Sequence, residues 1–422
     1  MFHISTFGRQ IVTLSSGTAL AQVVTLAALP ILSRIYSPAE FGSFALLTAP
    51  TLLLAPVMSL CYEKSILLPD ENSDADTIAQ LCTVLIGLVS IASGTVIAAL
   101  FLLGSNLALI YNVGSAMFLI PVAAAGTALF AVQSNRAIRA GQYRLLAFST
   151  LVRAMSLVGT QLILGLTNMG WLGLASGFVI GQWAGTSILS MRIRNSRPRA
   201  KLGSYRRLFA RYKSFPIFSV PSTLANASTT HLIALLVGGT YGPNTLGQYS
   251  MTQRVLALPS TVLATAISNV YLRQVTRNRR SSTKSGAIFD RITVRIASLS
   301  AIIFGVLLFF GSELFSLILG EDWSVAGGFA SVLAPMFFFR FVQSCIATTT
   351  TAYERQRFAL GSQLSYLGIA LTAFAITQLA DQSIIAFLTL FSAGGSAHSI
   401  VVIYLMRRMV RKDDCEIEEG RI

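Results

Sequence analysis

Carboxylates are scarce in this chain and are kept out of its apolar stretches. Against 32 lysines and arginines stand 17 aspartates and glutamates. None of these acids lies near the middle of a long hydrophobic run: Glu63 and Glu313 sit close to run ends, and the rest fall in gaps or tails. An acidic cage for a cation within the apolar part is therefore excluded, which weakens any reading as a proton or sodium antiporter. Cysteine is equally sparse. Cys61, Cys82, Cys345 and Cys415 show no CxxC spacing, so neither a disulfide frame nor a metal site is supported. No nucleotide motif occurs, and no cofactor is implied. Charged residues of both signs make up 12% of the chain, against roughly a quarter in ordinary soluble domains, which excludes a soluble globular fold.

What fills the chain is hydrophobic sequence, 53% of it. A bilayer core about 30 Å thick needs about 20 apolar residues per helix. Cutting the long uncharged runs at their turn residues (Gly104-Ser105-Asn106, Thr167 to Gly170, Gly238 to Asn244) predicts twelve spans: 10–33, 40–62, 78–103, 113–135, 145–167, 171–191, 214–238, 245–271, 295–319, 325–350, 358–379 and 382–406. The first resembles the apolar region of a signal peptide, but another span follows it at once, so it is read as a retained helix.

Basic residues sort the gaps between spans. Alternate gaps hold Arg9; Lys64; Arg136, Arg139 and Arg144; nine from Arg192 to Lys213; seven from Arg273 to Arg295; Arg355 and Arg357; and five from Arg407 onward. The opposite gaps hold Arg34 alone, with Glu40, Glu313, Glu321, Asp322 and Asp381. Basic residues mark the cytoplasmic side, so both termini are expected there. The formal net charge of +15 is thereby assigned to topology and to attraction by an anionic inner leaflet, not to nucleic acid.

The basic linker from Arg192 to Lys213 divides the spans six and six, which predicts an N-terminal bundle over residues 1–200, a C-terminal bundle over 201–406 and a charged tail over 407–422. The tail Asp413 to Glu419 reads as a solvated end. An even number of spans per half makes the halves cross in the same sense, as in a parallel repeat. A motif supports the duplication: Tyr36-Ser-Pro38-Ala-Glu-Phe41-Gly42-Ser-Phe44 is matched by Tyr241-Gly-Pro243-Asn-Thr-Leu246-Gly247-Gln-Tyr249. Proline suits a first helical turn, and the glycines would permit close helix approach.

At this point the chain resembles the polysaccharide transporter family, the Wzx-type O-antigen and capsule flippases, of the superfamily that includes MATE drug exporters and the lipid II flippase. The resemblance spans essentially the whole chain. It rests on the two six-span halves, the opening Ser15-Ser-Gly17-Thr-Ala-Leu-Ala-Gln22 that leads to Leu32-Ser-Arg34-Ile-Tyr36, the Tyr62-Glu63-Lys64-Ser-Ile66 segment, and Leu246-Gly247-Gln-Tyr249-Ser-Met-Thr-Gln-Arg254. It implies an all-α integral membrane fold of twelve transmembrane helices in two six-helix bundles, MATE-like, with a cationic cavity between the halves. It also implies a substrate, polyprenyl-pyrophosphate-linked oligosaccharide, carried from the inner to the outer leaflet of a bacterial inner membrane. Partners would be the lipid bilayer and the polymerase and chain-length machinery of a surface polysaccharide.

Three arginines lie inside spans: Arg153, Arg254 and Arg340. A cation at such depth costs at least about 2.5–3.5 kcal/mol and calls for water, a counter-charge or a bound anion. With no carboxylate nearby, a mobile anion is the expected partner, and the guanidinium fork fits phosphate oxygens. The competing reading is bonding to neutral groups or snorkelling. Arg34, at the outer end of the first span, reads as an anchor or a fourth ligand. His231 reads as an interhelical hydrogen-bonding residue, Phe337-Phe-Phe-Arg340-Phe341 as a packing stripe, and Thr348 to Thr351 as hydroxyls bonded to helix carbonyls. Two alternatives share the hydrophobicity: a MATE-like cation-coupled antiporter, which needs an anionic site, and a membrane polymerase or ligase, which carries a large outer loop.

Overall fold

The computed structural model describes residues 6–103, 113–193, 202–264, 267–268, 271–272, 274–275, 285–353 and 355–418. The turn Gly104-Ser105-Asn106, linker residues 194–201 and the basic stretch 276–284 lie outside the described residues. The described residues are helical: α1 (Thr6–Ala27), α2 (Leu29–Ile35), α3 (Pro38–Met58), α4 (Asn72–Leu102), α5 (Leu119–Arg139), α6 (Tyr143–Leu166), α7 (Trp171–Arg192), α8 (Leu202–Arg211), α9 (Val220–Pro259), α10 (Gly286–Leu319), α11 (Ser324–Ile346), α12 (Gln356–Leu379) and α13 (Ile384–Glu418), joined by short helical turns. Ten stretches among them are long and apolar enough to cross a membrane, α1 and α2 together contributing one. The seventh and eighth predicted spans run end to end as α9, broken at Gly242 (φ 81°, ψ 172°). The twelve spans read from the sequence thus have their helices.

Breaks fall where the chemistry places them. Between α1 and α2, Ala28 is a turn and Pro30 lies in the first turn of α2, because proline lacks the N–H that would continue the helix. Ser37 caps α3: its hydroxyl accepts the Glu40 N–H, while Glu40 Oε2 accepts the Ser37 N–H at 2.7 Å, with Pro38 in the first turn. This capping box satisfies helix donors that otherwise have no partner. Glu40, one of the few carboxylates in the gaps poor in basic residues, therefore has a structural use. In the second copy of the repeat, Gly242 stands where Ser37 stands in the first. Its extended ψ of 172°, against 160° at Ser37, interrupts the helix directly before Pro243, and the positive φ is one that glycine adopts at no steric cost.

Contacts group Met1–Gly247 and Gln248–Ile422 into two compact units. In the first, α7 presents Gly173, Gly177, Gly181 and Gly185, four residues apart and so on one face, to α6 and its neighbours. A Cβ on Gly181 would meet Leu157 Cβ at 2.8 Å and the Arg153 carbonyl at 2.9 Å; one on Gly177 would meet the Leu157 carbonyl at 2.8 Å. Such a small-residue stripe lets backbones pack closely where lipid offers no hydrophobic drive. The two repeat motifs also meet here. Gly42 abuts the Pro243 carbonyl, with the Gly247 amide 3.0 Å from its Cβ position, and Gly247 abuts the Pro38 carbonyl, with the Gly42 amide at 3.0 Å.

At the basic end of the first unit, α8 lays Leu208 into a cluster containing Met58, Tyr62, Ile78 and Cys82, with Tyr212 just beyond the helix. Tyr62 Oη donates to the Phe209 carbonyl at 3.0 Å, and the two rings stand 5.3 Å apart. Arg139 ties the segment before α4 to α5, donating to Ile66 O at 3.0 Å, Asp70 O at 3.3 Å and Asn72 Oδ1 at 3.1 Å.

In the second unit, α10 and α11 cross at Gly311 and Gly327, where a Cβ on Gly327 would reach Ser312 Cα at 2.5 Å. The chain's tail corrects one expectation. Asp413 to Glu418 continue α13, and Asp413 is buried rather than solvated. Asp414 accepts the Ser285 and Gly286 N–H groups at 2.7 and 2.8 Å, and Arg407 grips Asp290 with two bonds of 2.7 and 2.8 Å. The segment from Arg407 to Glu418 holds no glycine or proline to stop the helix, and the unsatisfied N–H groups at the start of α10 give its carboxylate a partner.

Candidate functional site

The four candidate arginines divide between the units. Arg34 and Arg153 belong to the first, Arg254 and Arg340 to the second. Arg34 lies in the last turn of α2 with its side chain exposed, where a cation favours the helix dipole.

Arg153 lies ten residues along α6, about 15 Å of rise. Its position is fixed by the α7 glycine face: a Cβ at Gly185 would come within 3.0 Å of Arg153 Cβ and of the Phe130 ring. The half-buried guanidinium covers that ring, 4.4 Å from its centroid, and donates to Gln182 Oε1 at a long 3.4 Å. Both partners are neutral.

Arg340 is held by α12. Its Nη1 donates to Tyr366 Oη at 2.7 Å, and the guanidinium lies 4.6 Å from the Tyr366 ring centroid and 5.9 Å from that of Phe337. Tyr366 is buried, packs on Phe391 at 5.6 Å and stands 5.7 Å from the His398 ring. His398 in turn shares a 2.9 Å hydrogen bond with Ser365. Arg340 lies six residues before the end of α11, roughly 9 Å of rise, so it is nearer to a helix end than the predicted span placed it. The helix closes early because the threonine run turns: Thr349 and Thr350 donate back to the Ile346 and Ala347 carbonyls, as expected of those hydroxyls. The guanidinium does not snorkel, because a buried tyrosine holds it.

Arg254 is half-buried on α9. Upstream, Gln248 fixes α9 to α11, its amide donating to Asp322 O at 2.7 Å and accepting from Ala326 N at 2.9 Å, while Thr252 donates to Ala326 O. Gln253 donates to Tyr249 Oη at 2.9 Å, and Tyr249 lies within electrostatic reach of Arg340 and Tyr366. The second unit thus gathers Arg340, Tyr366, Tyr249 and Gln253 in one neighbourhood. The sequence singles out the arginines but not the two tyrosines beside Arg340. Tyr249 closes the repeat motif, which was a signal; Tyr366 had none.

In each unit a guanidinium is held by neutral groups, an amide and a ring at Arg153 and a phenol at Arg340, and a charged guanidinium is a group that can bind an anion such as phosphate. A family model described as "Polysaccharide biosynthesis protein" matches residues 31–327, more than half of the chain. The chain belongs to this family.

The solved structures agree on the fold of this polysaccharide biosynthesis protein. The lipid II flippase MurJ in an inward closed conformation superposes with a TM-score of 0.76 at 12% identity, over 96% of this chain and 90% of that one. An inward-facing multidrug resistance MATE family transporter of the MOP superfamily gives 0.57 at 13% identity, covering 94% and 95%. A MOP superfamily transporter from Pyrococcus furiosus Vc1, described as having a binding pocket of reverse polarity, gives 0.56 at 14%, covering 97% and 96%. No curated protein sequence matches the chain. At these identities the likeness concerns fold alone: a multi-pass, all-helical membrane transporter fold.

Proposed function

We propose that this family member is a flippase that moves polyprenyl-pyrophosphate-linked oligosaccharide from the inner to the outer leaflet of a bacterial inner membrane, with both termini in the cytoplasm. The observation that carries the reading is the environment of Arg340 and Arg153, membrane-embedded guanidinium groups whose bonded partners are neutral. In a chain of a polysaccharide biosynthesis family, the anion such groups await is the pyrophosphate that links sugar to lipid. Arg254 and Arg340 would hold its oxygens, with Arg153 and Arg34 as further contacts along the route, while the polyprenyl chain stays in lipid. The bundles are assigned to residues 1–200 and 201–406 and the tail to 407–422. Exposure of the arginines to one side of the membrane and then the other is the transport step.

Energy for the step need not come from an ion or nucleotide. Moving an anion out of a negative interior gains about 2.3 kcal/mol per charge per 100 mV, or about 4.6 kcal/mol for a doubly charged pyrophosphate. A MATE-like cation antiporter has the same architecture, so the fold does not choose between them; the sign of the embedded charge does, and it favours an anion. The test is the sidedness of polyprenyl-linked oligosaccharide in cells lacking the protein, complemented with wild type or with Arg254→Ala plus Arg340→Ala. Accumulation on the cytoplasmic face, relieved by wild type alone, is the expected result. Unchanged pools and sidedness, with other flippases deleted, would sink the proposal.

A further inference from the structure

A cavity of about 760 Å³ lies in the first unit, lined by α4, α5, α7 and α8 and by none of the four candidate arginines. Its size is that of a small-molecule site. Among the described residues of its lining the charges are Arg136 and Asp76, which meet each other at 2.9 Å, so neither is left as a free charge for a ligand. What remains is neutral and sorts by hydrogen-bonding sense. Gln80 and Gln133 each have the carboxamide oxygen engaged, by Tyr205 Oη at 2.7 Å and by Arg136 Nη1 at 3.2 Å. Their Nε2 groups have no partner among the described residues, and a carboxamide nitrogen only donates. Three hydroxyls are the reverse, because each has committed its hydrogen: Thr83 to the Ala79 carbonyl at 2.9 Å, Thr186 to the Gln182 carbonyl at 2.9 Å, and Tyr205 to Gln80. Their oxygens are left to accept.

We propose that this cavity binds the uncharged sugar headgroup of a glycolipid. A wall of committed donors beside committed acceptors is matched by a group that accepts and donates at once, which is what a hydroxyl does. A phosphodiester only accepts, so it would turn lone pairs toward those of Thr83, Thr186 and Tyr205. An ammonium only donates, and would face the N–H groups of Gln80 and Gln133. A bare acyl chain would leave both carboxamides without water or a partner, a costly state for a polar group. A sugar ring also has apolar C–H surface between its hydroxyls. Trp183 meets that need: its Nε1 donates to the Val122 carbonyl at 3.2 Å, so what the indole offers the cavity is apolar. The site is separate from the membrane arginines and does not rest on the flippase reading.

The source is the bilayer, because the rim of the cavity is apolar: Val84 is 57% exposed and Met191 84% exposed, a surface suited to acyl chains. The cavity lies between the start of α4, the ends of α5 and α7, and α8, at the end of the unit that carries the basic gaps. There α8 buries Leu208 and exposes Arg206 and Arg207, as expected of an amphipathic helix at the headgroup level.

The test uses the purified full-length protein in a polyether detergent, which has no sugar headgroup, and native mass spectrometry with monoglucosyl dioleoylglycerol, dioleoylglycerol or dioleoyl phosphatidylglycerol added in turn. One glucosyl lipid should bind about tenfold more tightly than either of the others, as two neutral hydrogen bonds would give. Ser187, which also lines the cavity and is exposed, is the place to fill it: Ser187→Phe should remove the tight glucosyl site and leave the other two lipids unchanged. Thr83→Val takes away one acceptor and should weaken the glucosyl lipid alone, about threefold; if the phenylalanine variant does not fold, this arm decides. Dioleoylglycerol or phosphatidylglycerol binding as tightly as the glucosyl lipid, or a glucosyl affinity unchanged in a folded variant, overturns the proposal. Free methyl glucoside binding as tightly as the lipid would overturn the bilayer as source.

Discussion

Arginines of the basic gaps and arginines within the membrane helices differ in the company they keep. In the basic gaps four of them find aspartates, Arg136 with Asp76, Arg207 with Asp74, and Arg407 and Arg411 with Asp290, all at 2.7–3.0 Å, while Arg139 bonds to carbonyls and to Asn72. Within the helices, Arg153 and Arg340 find an amide, a phenol and the faces of Phe130 and Tyr366. Neutral partners hold a guanidinium in place without cancelling its charge. A carboxylate would do both, and would leave little attraction for an incoming phosphate. The difference separates arginines that fasten helices from arginines left electrically available.

The sharpest way to break this comparison is to remove an available charge. Arg340→Ala should lower oligosaccharide transport about 100-fold, the scale of a lost charge-assisted contact of 2–3 kcal/mol, at unchanged protein level. Arg340→Lys should recover only part, since an ammonium lacks the fork. A radiolabelled lipid-linked oligosaccharide assay in vesicles reads both, and wild-type transport by the alanine variant would refute the role. Next in size is Gly185→Leu, which wedges α7 away from Arg153 and Phe130. It should cost about 1–3 kcal/mol as overpacking, visible as a lower unfolding temperature in detergent. An unchanged melt would mean that the glycine face does not set Arg153.

Tyr366→Phe keeps the ring under Arg340 and removes the hydroxyl. Transport should fall about tenfold, the worth of one hydrogen bond to a charge, with little change in stability; full activity would assign the holding to the ring alone. Smallest is Asp290→Asn at the basic end. That pair is partly exposed, so the loss should stay within about 1 kcal/mol and shrink as salt is added. A large loss of transport from Asp290→Asn would erase the distinction between the two groups.

Much of the fold was legible because hydrophobic length and loop charge are local signals. The twelve spans, the break before Pro243 and the kinship of the two Pro-x-x-x-Gly motifs could all be read along the chain. So could the membrane arginines, because a lone cation stands out in an apolar run. Their partners could not. Tyr366 is 26 positions from Arg340 and on another helix, and no periodicity links them. The tail was misread for a similar reason. A cluster of acids looks solvated until the start of α10 is known to lie against Asp414.

The reciprocal seating of Gly42 and Gly247 bears on how such a chain changes over generations. Each glycine's missing Cβ is the space occupied by the other motif's proline carbonyl and amide. A side chain at either position meets backbone, which cannot be trimmed by a second substitution across the contact. The duplicated segments are therefore not two copies free to diverge at this point. Mutation and selection act on them here as on a single character written twice.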